Sequence, residues 1–128
     1  MTYYIAKTLS DGFPQAIMRT IAALKTEGFG VLTDIDVKET MKKKLNVDIP
    51  DYRILGACNP ALAYEALQLE SHVGAMLPCN VVVRDAGNGQ TEVAAIDPVA
   101  SMMAIDNPAL KVAAEEVRAK LQRVIETL

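Results

Sequence analysis

The chain has 128 residues, 51% of them hydrophobic, with 13 Lys and Arg against 16 Asp and Glu for a formal net charge of -3. That length supplies one hydrophobic core, hence a single domain over 1–128, and the acidic balance disfavours the broad basic surface of a nucleic-acid binder. No run approaches the ~20 apolar residues of a membrane span, and the N-terminal segment Thr2 to Lys7 turns polar before a signal-like stretch forms, so a cytoplasmic protein with no membrane partner is expected.

Thr2 to Thr8 reads as a strand and Ser10 as the cap of a first helix, whose Phe13, Ile17, Ile21 and Leu24 recur at helical spacing until Gly28 stops it. The period then changes to two. Val31, Thr33, Ile35 and Val37 alternate with Leu32, Asp34 and Asp36, which predicts a strand with one strongly apolar face. Asp36 and Glu39 stand at capping-box spacing and open a second helix that runs to Asn46. Lys42, Lys43 and Lys44 are its solvated side, since adjacent residues cannot share one helical face.

Tyr52 to Ala57 reads as a strand, followed by a helix that Asn59 caps and Pro60 opens, with Leu62, Ala63, Ala66, Leu67 and Leu69 on its apolar side. After a connection from Ser71 to Pro78, Asn80 to Arg84 is a strand whose unbroken Val81-Val82-Val83 predicts burial on both faces. Gly87-Asn88-Gly89 turns it back as a hairpin into Thr91 to Ile96. Asp97-Pro98 and Asn107-Pro108 repeat the cap-then-proline device. The last helix, about 108–127, carries Leu110, Ala114, Val117, Leu121, Val124 and Leu128 along one stripe. Such a stripe packs across a sheet or pairs with a second subunit.

The order of elements is α+β rather than doubly wound, and no glycine fingerprint follows a strand. Two segments stand out in it: Ala57-Cys58-Asn59-Pro60 and Pro78-Cys79-Asn80, each a cysteine followed by asparagine and set beside proline where strand meets loop. If the middle strands are antiparallel neighbours, the two segments meet at one sheet edge. In a parallel arrangement they lie at opposite ends.

The blocks Gly28-Phe29-Gly30-Val31-Leu32-Thr33, Tyr52 to Pro60, Leu77-Pro78-Cys79-Asn80-Val81-Val82-Val83 and Ala95-Ile96-Asp97-Pro98 closely resemble the domain-of-unknown-function 302 family, in one order and from end to end. The resemblance implies an α+β domain of the TATA-binding-protein-like fold class, a curved antiparallel sheet packed against helices, and a homodimer. It implies no established activity or cofactor, and a fold name alone says nothing of DNA.

Four chemistries compete for the two segments. The first is a binding module, in which a helix across a curved sheet leaves an apolar cavity for a small molecule, rimmed by Cys58, Asn59, Cys79 and Asn80, with Pro60 and Pro78 beside them. The second is thiol chemistry, a Cys58-Cys79 disulfide or a persulfide carrier, favoured because Cys58 precedes a helix N-terminus. The third is a soft-metal or haem site drawing on Cys58, His72, Met76 and Cys79. The last is a triad of one cysteine with His72 and Asp97, which no spacing supports over chance, so catalysis is not expected. Packing competes with all of these, because free cysteine is readily buried and Asn59 already serves as a cap.

Overall fold

A computed structural model describes residues 2–128. Five strands, β1 (Tyr4–Leu9), β2 (Gly30–Asp36), β3 (Tyr52–Cys58), β4 (Cys79–Gly87) and β5 (Gln90–Ile96), form one antiparallel sheet in the order β1-β5-β4-β3-β2. Strands β2 to β5 follow one another as a meander, and β1 joins its far side by pairing with β5. The helices are α1 (Phe13–Thr26), α2 (Val37–Leu45), α3 (Pro60–Leu69), the short α4 (Pro98–Ser101) and the long α5 (Pro108–Glu126), with a 3-10 turn at Val73–Met76.

Because alternate residues of a strand face opposite ways, the register divides the sheet into two sets of rows. One inner row runs Ile5, Ala95, Val81, Leu55, and α1 and α5 pack over that face. With Leu24, Leu121 and Val124 it forms the main core. The outer face has its own apolar row, Ala6, Ala94, Val82, Ile54, Ile35, which crosses all five strands in register and stays partly or fully exposed. Val82 is therefore only half-buried while Val81 and Val83 beside it are fully buried, contrary to the two-sided burial expected of Val81-Val82-Val83. The reason is that α1, the helix packed on β4, covers the inner face, where Val81 and Val83 join the main core.

Two further expectations change. The predicted apolar face of β2 is not buried: Val31 is half-buried while Thr33 and Ile35 are exposed, because β2 is an edge strand and a bulge between Val31 and Thr33 shifts its register. The cap of α1 is Gly12 rather than Ser10, with no side-chain hydrogen bond and Pro14 in the first turn.

The remaining caps follow the sequence closely. Asp36 accepts from the Glu39 amide at the start of α2, and Asn46 ends that helix in the left-handed region. Gly28 (φ +83°) closes α1 as a Schellman motif, with the Phe29 amide donating to the Leu24 carbonyl and the Gly28 amide to that of Lys25. Gly87, Asn88 and Gly89 all take positive φ in the hairpin. The stripe of α5 is consumed inside the chain, where Leu110, Ala113, Ala114, Leu121, Val124 and Ile125 are buried. The two buried threonines are satisfied as well, Thr20 donating to the Ala16 carbonyl and Thr91 to that of Asp11.

Candidate functional site

The buried apolar residues form two clusters rather than one. The main core lies between the sheet and α1 and α5, and a satellite of Ala66, Val73, Met102, Leu110 and Ala114 lies where α3, the 3-10 turn and α4 meet α5. Between them is a cavity of about 260 Å³. Its position follows from side-chain size. Ala63 and Ala66 of α3, Ala113 and Ala114 of α5 and Ala57 of β3 all border it, so two packed helices and a strand end present methyl groups where larger side chains would meet.

The lining separates into a floor and a rim. Phe29, Ala57, Leu62, Ala66, Cys79, Met102 and Leu110 are buried, whereas Leu32, Cys58, Asn59, Ala63, Pro78 and Val117 are partly or fully exposed. The bulge that exposes Leu32 (68% accessible) is what brings it to the mouth. No lining residue carries a charge.

The antiparallel pairing of β3 and β4 brings the two cysteine segments to one edge of the sheet, with Ala57 opposite Cys79. Both cysteines are free thiols and both border the cavity. Their environments differ. Cys79 is on the floor, 7% accessible. Burial, and to a lesser extent the neighbouring Cys58, pushes its thiol up from the usual 9.0 to about 11. Cys58 is at the rim, directly before the cap of α3.

Asn59 also lines the cavity, but its amide is committed elsewhere. Its Oδ1 accepts from the Leu62 amide and its Nδ2 donates to the Glu27 carbonyl, each at 3.3 Å, tying the start of α3 to the end of α1. Pro78 lines the cavity, while Pro60, at the first position of α3, does not. Asn80 points the other way. It belongs to the outer face and borders a shallow groove of about 360 Å³ with Tyr3, Tyr4, Tyr52 and the Arg84–Glu92 ion pair, because one residue along a strand reverses the side.

His72, Met76 and Asp97 do not line the cavity that the cysteines border. The His72 ring is exposed beside Glu70, and Met76 sits exposed on the 3-10 turn. Asp97 caps α4 by accepting from the Val99 amide at 3.0 Å, and its second oxygen pairs with Arg118 at 3.0 Å. Among the described residues no three His, Cys, Asp or Glu side chains converge as metal ligands. The lining residues that the sequence did not point to are the apolar ones, the alanines, Phe29 and Met102 among them. The only signal for them was alanine at stripe positions of two helices, which reads equally well as close packing.

The model of the family described as "Domain of unknown function DUF302" matches residues 5–128. The chain belongs to this family. A solved DUF302 structure, the uncharacterized conserved protein from Bacillus stearothermophilus, is 31% identical, with 98% of each chain covered and a TM-score of 0.91. No functionally curated protein matches. The DUF302 frame thus extends over the whole meander, the added β1 and the long last helix. Among the described residues no helix is long and apolar enough to cross a membrane.

Proposed function

We propose that this DUF302 chain binds a compact, uncharged, largely apolar small molecule in the cavity between its two core clusters. The observation that carries the reading is a gap of about 260 Å³ that opens to solvent and has no charged residue in its lining. A closed fold ordinarily fills such a space with side chains. The volume lies just below the range of about 300–1,000 Å³ common for small-molecule sites, and an ionised ligand would find no partner for its charge. Asn59 is spent as a cap, so recognition rests on shape and on the polarisable sulfurs of Cys79 and Met102. Titration with the uncharged dye N-phenyl-1-naphthylamine tests this. Saturable fluorescence enhancement, one dye per chain, is expected, and its absence counts against the reading.

The protein acts in the cytoplasm as a homodimer on the same proposal. Two free thiols in a domain with an ample core support a reducing compartment. The exposed outer row Ala6, Ala94, Val82, Ile54, Ile35 supports self-association, since the adjacent Arg84 and Glu92 neutralise each other and leave a face that a two-fold copy of itself matches in chemistry. Light scattering at micromolar concentration is expected to give twice the chain mass, and the Val82→Glu variant the single mass.

A further inference from the structure

The two cysteines occupy one cavity in opposite situations, and that asymmetry assigns them different reactivity. Cys79 is on the floor, on the inner face of the sheet with its cross-strand partner Ala57. Its thiol is pushed up to about 11 and reaches almost no thiolate at neutral pH. Cys58 is half-buried at the rim, beside the exposed Leu32 and the half-buried Asn59, Ala63 and Val117. A group attached there stands in the entrance.

We propose that Cys58 is a thiol-modification site whose occupation by a low-molecular-weight disulfide closes the cavity, a regulation that rests on the cavity being a binding site. In the exchange Cys58 gives its proton to solvent and its sulfur attacks one sulfur of the small disulfide RS–SR. The bond from Cys58 Sγ to that sulfur forms and the RS–SR bond breaks. The departing RS⁻ takes up a proton and leaves as RSH. One RS unit is thereby reduced and Cys58 is oxidised to the mixed-disulfide level, and excess thiol reverses the step.

The adduct persists as a mixed disulfide because Cys79, buried on the floor with its thiol pushed up to about 11, holds almost no thiolate with which to attack it.

The test treats reduced protein with oxidised glutathione at neutral pH and reads intact mass, a peptide map and N-phenyl-1-naphthylamine binding. One glutathionyl group on Cys58 is expected, with dye affinity weakened at least about tenfold and restored by dithiothreitol. The Cys58→Ser variant is expected to take no adduct, and its dye affinity, whatever its starting value, is expected to be unchanged by the treatment. An adduct on Cys79, a Cys58-Cys79 bridge, or a Cys58 adduct that leaves dye binding unchanged would each overturn the proposal. Failure of the reduced protein to bind dye instead removes the cavity reading and the gating with it, while the peptide map still decides the modification site by itself.

Discussion

Thr33 stands directly over Gly56: a Cβ on that glycine would lie 2.1 Å from the Thr33 hydroxyl and 2.8 Å from Cγ of Pro78. Neither neighbour moves freely, since Thr33 is held in β2 opposite Gly56 and Pro78 leads into β4. The absence of a side chain at Gly56 therefore lets β2 and the Pro78 segment close on β3 beside the cavity.

Gly56→Ala is expected to destabilise the protein by about 1–3 kcal/mol, the usual cost of forcing a methyl into a filled site. Adding Thr33→Ala should recover part of it, because the Pro78 contact remains. Urea denaturation of the two variants checks this. Equal stability of Gly56→Ala and the parent would show that the strands separate at little cost.

Asn107 holds both ends of one junction. Its Oδ1 accepts from the Ala109 and Leu110 amides at the start of α5, and its Nδ2 donates to the Leu69 carbonyl at the end of α3, at 3.0 Å. Asn107→Ala should cost about 1–2 kcal/mol. Asn107→Asp keeps the cap and loses the donor, so an intermediate loss is expected, with faster amide hydrogen exchange confined to the last turn of α3.

The raised thiol of Cys79 makes stability pH-dependent in the alkaline range. Below the unfolded value near 9 both states hold the proton and its contribution is constant. As the pH climbs from about 9 towards 11 the unfolded thiol ionises first, and native stability falls. The loss is on the order of 2 kcal/mol. Unfolding free energies of the parent and of Cys79→Ala, measured from pH 8 to 11, should converge as the pH rises. Parallel curves would place Cys79 in contact with water.

Ala113 is buried in α5 and borders the cavity, so Ala113→Leu fills space instead of displacing atoms. Dye affinity should fall at least about tenfold while thermal stability holds or rises. A variant that unfolds at lower temperature and still binds dye would place the dye elsewhere.

Much of this architecture is legible in the residues because it is written in local chemistry. Asn59-Pro60, Asp97-Pro98 and Asn107-Pro108 each mark a helix start through an acceptor followed by a fixed φ, and Gly87-Asn88-Gly89 marks the hairpin through positive φ. Face assignment is less legible. Val82 and Ile35 have the composition of core residues, and only the position of the helices, a matter of tertiary packing, leaves them outside. The cysteine segments converge because β3 and β4 pair antiparallel, yet Asn80 parts from Cys79 by strand alternation. The cavity itself has the faintest signature. It depends on five alanines from three elements meeting, and each alanine alone looks like tight packing.

The pairing of β1 with β5 has a bearing on how the chain reaches this state. Tyr4 meets Ile96 and Leu9 meets Thr91, so the first strand finds its neighbour only after the meander from β2 to β5 has been made. Each of the meander's strands adds to the one before it, whereas β1 must close a loop spanning most of the chain. The β2–β5 unit is thus the natural nucleus, and β1 is the strand left waiting during synthesis, with its backbone edge unpaired until β5 emerges.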